Sequence, residues 1–234
     1  MHKHNLFINK LKGYFFDVLD IVLALFLICL TFPLLILAIF LVKADSPGKI
    51  IYKQCRYGKN KRIFTIYKFR TMGVNAEKAG PVWGSESDPR SGKIGKFLRN
   101  SHIDELPQLL NVLKGQMSLV GPRPERPYFA DKFRVTIPGY DERHKVKPGI
   151  TGWSQINGLR GEGSVEDRTL YDISYIKNKS LLLYLKILFL TPFAKPINSY
   201  PSAKKSSLCC QRVFSQVDEL RIENIPFIVP ARKP

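Results

Sequence analysis

The sequence predicts a mostly helical α/β protein: a re-entrant membrane helix, then a compact cytoplasmic domain of amphipathic helices with a small β-hairpin. Three observations lead there. An uncharged apolar run covers residues 21–42, two aromatic-rich β-prone runs flank a turn at Gly58, and apolar residues recur at helical spacing over 94–113 and 165–190. The 234 residues suffice for one modest domain with appendages. With 44% hydrophobic residues, the chain has enough apolar surface for a core and is not a disordered basic tail. A formal net charge of +18 points to polyanionic partners, whether nucleic acid, an anionic leaflet or phosphorylated substrates. The four cysteines (Cys29, Cys55, Cys209, Cys210) contain no CxxC pair, which argues against a structural zinc site or a secreted disulfide framework.

Residues 1–19 read as a basic interfacial segment carrying Lys3, Lys10 and Lys12, and residues 20–42 as the membrane helix. The run is too long for a signal-peptide core and lacks a small-residue cleavage site before Lys43. Two features oppose a straight crossing. Pro33 sits in mid-run, where it removes a backbone hydrogen bond, and both flanks are basic, with Lys43, Lys49, Lys53 and Arg56 following. A helix broken at Pro33 that leaves by the leaflet it entered explains both, and it places Asp20 at the interface rather than at the bilayer centre.

The domain spans residues 43–190. Residues 50–54 and 62–72 predict a hairpin, with Lys68 and Arg70 on one face of its second strand and Phe69 on the other. No RNA-binding pattern accompanies these cations, so they read as hairpin residues beside a membrane, not a nucleic-acid surface. Residues 73–92 read as loop. Helical periodicity returns at Ile94, Phe97 and Leu98, then at Leu106, Leu109, Leu110 and Leu113, closed by Gly115. A short β-like run over 117–120 enters Gly121-Pro122-Arg123-Pro124, residues 147–153 are turn-rich, and helices are predicted over 165–177 and 181–190. With no GxGxxG after a strand, no Rossmann unit is expected. Residues 191–234 read as an irregular, proline-interrupted tail.

Asp104-Glu105 is the most informative pair. As bare spacing, Ser101-x-x-Asp104 matches a capping box, and acidic residues in a first turn are ordinary. Pro107 is harmless only in a first turn, so a helix is predicted to start near Ile103 or Asp104, where the free N–H groups keep an Asp ionised and can also hold a phosphate. Cations lie on stiff loops around it: Arg123 between two prolines, Arg99 about a turn upstream, Lys147 before Pro148-Gly149, and Arg160 after Asn157-Gly158-Leu159.

The order KFRTM (68–72), IDELPQLLNVLKGQMSLVGPRPE (103–125), HKVKPGITGWSQINGLRG (144–161) and YDISYIKNKSLLLYLKILFLT (171–191) closely resembles the bacterial sugar transferases. These are the monotopic phosphoglycosyl transferases, which include the undecaprenyl-phosphate sugar phosphotransferases. The resemblance covers roughly Asp20 to Thr191. It implies transfer of a sugar 1-phosphate from a UDP-sugar to a polyprenyl phosphate with release of UMP, through a covalent aspartyl-phosphosugar intermediate. By that resemblance Asp104 is the nucleophile, and Glu105, with Asp104, holds Mg2+. Arg123 contacts phosphate, and Lys68, Arg70, Arg99, Lys147 and Arg160 join it as substrate-binding residues. Pro33 matches the proline that bends the family's re-entrant helix. The resemblance further implies residence in the bacterial inner membrane with the catalytic domain on the cytoplasmic face, and downstream glycosyltransferases as partners.

Two departures stand out. The family usually has Ser before the membrane proline, where this chain has Phe32 with Thr31 one position earlier. Leu159 precedes Arg160, a form similar to the branch that initiates exopolysaccharide or capsule synthesis. The competing expectation is a membrane-anchored basic scaffold, or an inactive family member, that binds anionic lipid. A scaffold has no need of an acidic dyad at a helix start.

Overall fold

The computed structural model describes residues 2–73, 76, 80, 88, 90–159 and 164–194. Most of the expected 73–92 loop, Arg160, and the tail from residue 195 onward, with Cys209 and Cys210, lie outside the described residues.

The chain opens with a 44-residue helix, α1 (His2–Asp45). The expected interfacial segment and membrane helix are thus one element, and helix continues through Pro33 where a break was expected. Pro33 withholds only one hydrogen bond, to the carbonyl of Cys29, and long apolar helices absorb such a loss. The Thr31 hydroxyl donates to the Leu27 carbonyl at 2.7 Å, a back-bond that bends helices rather than ending them. Both ends of the apolar run touch the rest of the fold. Ala38 and Val42 pack against Phe69, Leu98 and Ile103. At the other end Asp20 is buried, accepting from the Leu119 N–H at 2.8 Å and the Tyr184 hydroxyl at 2.6 Å. Asp20 is therefore enclosed by protein. Between these anchors Leu25, Phe26, Leu30, Phe32, Ile36 and Leu37 are exposed.

Strands β1 (Ile51–Tyr57) and β2 (Ile63–Phe69) form the expected antiparallel hairpin, in register from Ile51 opposite Phe69 to Tyr57 opposite Ile63. Helix α2 (Lys93–Asn100) follows, then a 3-10 turn over Ile103–Gln108 that runs into α3 (Leu109–Leu113). Strand β3 (Ser118–Val120) pairs in parallel with β4 (Gly149–Thr151), inside the stretch expected to be turns. Between them lies α4 (Pro127–Thr136), with Pro127 at its first position. A short α5 (Trp153–Ile156) precedes α6 (Val165–Lys177) and α7 (Leu181–Leu190), whose bounds match the predicted periodicity. Ser164 and Ser180 cap these two helices, accepting from the Asp167 and Leu183 N–H groups.

Backbone is packed against backbone where β3 leaves the sheet. A Cβ on Gly149 would lie 2.1 Å from the Gly121 nitrogen, and one on Gly121 would lie 2.6 Å from the Lys147 carbonyl oxygen. Glycine at both positions lets the two motif loops touch directly.

Candidate active site

The dyad is set by the turn that precedes it. Ser101 closes α2, its hydroxyl donating to the Phe97 and Leu98 carbonyls, so it is not the N-cap of a capping box. His102 takes a left-handed conformation (φ 56°) and reverses the chain into the 3-10 turn. Ile103 is then buried against α1 and α2, which fixes Asp104 and Glu105 at the start of that turn. Asn111, fully buried, ties the following helix to the hairpin. Its carbonyl oxygen accepts from the Tyr67 N–H at 3.1 Å, and its amide donates to the Thr65 carbonyl at 2.7 Å. Asn111 thereby occupies the free edge of β2 and brings Lys68 to the dyad.

The two carboxylates differ sharply. Glu105 is neutralised: Oε1 accepts from Lys68 Nζ at 2.6 Å and Arg123 Nη2 at 2.7 Å, and Oε2 from Arg123 Nη1 at 3.2 Å. Burial alone would raise its pKa, but Arg123 and Lys68 together outweigh burial and hold it well below the ordinary carboxylate value. Burial lowers the Lys68 pKa despite Glu105, whereas Glu105 raises that of Arg123. Asp104 accepts no hydrogen bond among the described residues, though it is only 7% exposed. Burial, with Glu105 pushing the same way, lifts its pKa to about 6 against the opposing pull of Lys68, Arg123 and Arg99. Desolvation thus outweighs the helix-start effect expected to favour the ionised Asp. At neutral pH Asp104 is still mostly ionised, a bare carboxylate among three cations.

The remaining candidates divide. Arg99 sits within electrostatic reach of Asp104 and donates to the Ser91 hydroxyl at 3.0 Å. Arg70 is taken up by the Ser46 and Pro47 carbonyls at 2.6 and 3.0 Å, clamping the end of α1. Lys147 pairs with Asp17 of α1 at 2.8 Å. Neither Arg70 nor Lys147 is brought to the dyad carboxylates. Arg160 lies outside the described residues.

Sequence reasoning missed the residues that hold Arg123. Arg143 donates to the Arg123 carbonyl at 3.2 Å and is itself locked by Asp172 Oδ2 (2.6 Å from Nη2, 3.2 Å from Nε) and the Tyr140 hydroxyl (2.9 Å). Ser154 donates to the other Asp172 oxygen at 2.9 Å. Arg56 holds the next residue, donating to the Pro124 carbonyl at 3.1 Å, and Glu125 beyond it pairs with Arg168 at 3.3 Å. A usable signal existed: Arg143 abuts the HKVKPG motif, and Asp172 stands between Tyr171 and Tyr175 on a helix face that must be buried.

The model of the family described as "Bacterial sugar transferase" matches residues 11–195. A UDP-glucose:undecaprenyl-phosphate glucose-1-phosphate transferase of Escherichia coli (strain K12) is 45% identical over 183 residues, covering 76% of this chain and 39% of that protein. A UDP-N-acetylgalactosamine-undecaprenyl-phosphate N-acetylgalactosaminephosphotransferase of Aeromonas hydrophila is 45% identical over 177 residues, 74% of this chain and 41% of that protein. The exopolysaccharide production protein PSS of Rhizobium leguminosarum bv. phaseoli is 38% identical over 182 residues, 74% of this chain and 90% of that protein. The chain spans about two fifths of the length of the first two relatives. The match contains the dyad, both strand pairs and the Arg123 loop, and on that ground the chain belongs to the bacterial sugar transferase family.

Proposed function

We propose that the chain is a phosphoglycosyl transferase that moves a sugar 1-phosphate from a UDP-sugar to a polyprenyl phosphate such as undecaprenyl phosphate, releasing UMP. The observation that carries this reading is the asymmetry of the dyad: Glu105 is saturated by Lys68 and Arg123, while Asp104 is buried, mostly ionised at neutral pH and without a hydrogen bond among the described residues. A carboxylate stripped of hydrogen bonds is a better nucleophile, and the surrounding cations suit a diphosphate. One oxygen of Asp104 attacks the β-phosphorus of the donor. The bond from that phosphorus to the bridging oxygen breaks, UMP leaves, and the sugar phosphate remains on Asp104 as an acyl phosphate. An oxygen of the polyprenyl phosphate then displaces Asp104 and regenerates the carboxylate.

Lys68 and Arg123 stay on Glu105 and oppose the charge of the donor, and Arg99 adds a third cation on the Asp104 side. Mg2+ would offset charge on the diphosphate. The residues fit it in a limited way: the Asp104 oxygens accept no hydrogen bond among the described residues, whereas those of Glu105 are shared with two cations, so the donor phosphates and water would supply most ligands.

The same reading places the protein in the bacterial inner membrane with its catalytic part on the cytoplasmic face. Support comes from α1, which is long and apolar enough to enter a bilayer and has both ends of its apolar run docked on the rest of the fold. The exopolysaccharide name of the Rhizobium relative supports initiation of a surface glycan. The test is UMP release from a panel of UDP-sugars with and without polyprenyl phosphate. Lipid-dependent turnover that vanishes in Asp104→Asn is expected; near-wild-type turnover by Asp104→Asn would overturn the assignment of the nucleophile.

A further inference from the structure

Among the described residues strand β3 has one partner strand, β4. Its register, Ser118 opposite Gly149 and Val120 opposite Thr151, leaves the intervening Leu119 with its N–H facing away from β4. Leu119 is buried, so that N–H needs a partner. The partner is Asp20 Oδ1 of α1, at 2.8 Å, and the same oxygen accepts the Tyr184 hydroxyl of α7 at 2.6 Å. One turn earlier on α1, Asp17 pairs with Lys147, two residues before β4. A single face of α1 therefore holds β3 and the segment that leads into β4. Four residues beyond Leu119 the same backbone presents Arg123 to Glu105, and Gly121, in between, is pressed against the 147–149 backbone with no room to adjust.

The geometry points to Asp20 as a positioning residue: through the Leu119 N–H it sets β3, and through β3 the seat of Arg123 on Glu105, so that the membrane helix indexes the active site. This rests on the transferase reading for its activity readout. The role requires an acceptor oxygen, not a charge, because both bonds end on Oδ1. Asn can supply that oxygen and Leu cannot.

The experiment compares Asp20→Leu, Asp20→Asn and Tyr184→Phe of the full chain in lipid nanodiscs, each alone and with Arg123→Lys. It follows UMP release and, separately, hydrogen exchange of the segment 119–125. Asp20→Leu is expected to lose roughly 10- to 100-fold in kcat/KM, the scale of a displaced substrate-contacting group. Asp20→Asn should stay close to the parent. In the Arg123→Lys background Asp20→Leu should cost little more, since the group it positions is already impaired. Exchange in 119–125 should accelerate in Asp20→Leu while α6 keeps its protection. Wild-type turnover by Asp20→Leu, equal losses for Leu and Asn, or losses that add to that of Arg123→Lys would each overturn the role. Should Asp20→Leu not fold, Tyr184→Phe decides: a smaller loss that does not add to Arg123→Lys supports the role, and no change in either readout overturns it. If the wild type releases UMP from no UDP-sugar, the transferase reading fails by itself, and exchange in 119–125 still accepts or rejects the anchoring.

Discussion

Replacing Asp104 by Asn should abolish turnover and stabilise the fold, and the stabilisation should depend on pH in a stated direction. Burial has raised the Asp104 pKa from its ordinary 3.8 to about 6. A folded-state value above the unfolded one means that the native protein holds this proton more tightly. The associated stability is fully present below the unfolded value and is lost as pH rises through about 6. A displacement of about two pKa units corresponds to about 3 kcal/mol of burial cost once the group is ionised. Asn carries none of this cost, so the Asn-minus-Asp difference in stability should grow by about 2 kcal/mol between pH 4.5 and 7.5. For a chain of this size that is roughly 4–8 °C in Tm. Taking the difference between two pH values cancels any constant penalty of burying the amide. Glu105 is held well below this window and stays ionised throughout it. Burial pushes His144 down to about 4, so it is largely neutral over the range. The assay is thermal unfolding of both proteins in one detergent at a series of pH values. A difference that is flat with pH, or that turns against Asn at pH 7.5, would refute the claim that Asp104 is a desolvated carboxylate held for chemistry at the expense of stability.

Three further outcomes are expected. Asp172→Asn leaves Arg143 buried without its counter-charge and should cost about 3–5 kcal/mol; the double variant Arg143→Met/Asp172→Leu should recover much of that loss in denaturant titration, and a single-variant cost under about 1 kcal/mol would contradict the pairing. Gly149→Ala forces a Cβ to 2.1 Å from the Gly121 nitrogen, so it should destabilise by roughly 1–3 kcal/mol and lower turnover by moving Arg123, whereas wild-type melting would show that the two loops can part. Cysteines placed at residues 10 and 49 in a background freed of native cysteines should react with an impermeant thiol reagent from the same side of sealed vesicles; reaction from opposite sides would establish a crossing helix.

Local periodicity carried much of the fold. The hairpin follows from alternation around a glycine turn, and α6 and α7 follow from apolar spacing. The start of the dyad turn was readable from Pro107, although the turn is 3-10 and not α. What could not be read depends on contacts distant in sequence. The residues around Gly149 look like turns because the strand exists only through its pairing with β3. Helix α4 lies in a stretch of mixed polarity for which no element was predicted, although Pro127 at its first position was an available start signal.

The candidate site divides along the same line. Asp104, Glu105, Lys68 and Arg123 could be named because each stands in a motif, and they do converge. Arg70 and Lys147 stand in motifs too, yet Arg70 binds the carbonyls just beyond α1 and Lys147 binds Asp17 of α1, contacts that no spacing rule reveals. Asn111, Arg143 and Asp172 went unnamed because their work is to complete a strand edge or hold a backbone carbonyl. The raised Asp104 pKa was not legible for a related reason. The start of a helical turn lowers a carboxylate pKa, but enclosure by the hairpin and α2 raises it further, and that enclosure is a property of the folded chain.

The most direct test of the central claim is intact-protein mass spectrometry after incubation with Mg2+ and single UDP-sugars, without lipid acceptor. The account predicts a mass increase of one sugar phosphate with a matching donor, located by peptide mapping at Asp104 and absent from Asp104→Asn. An adduct on another residue, or none in a preparation that turns over when polyprenyl phosphate is added, would contradict it.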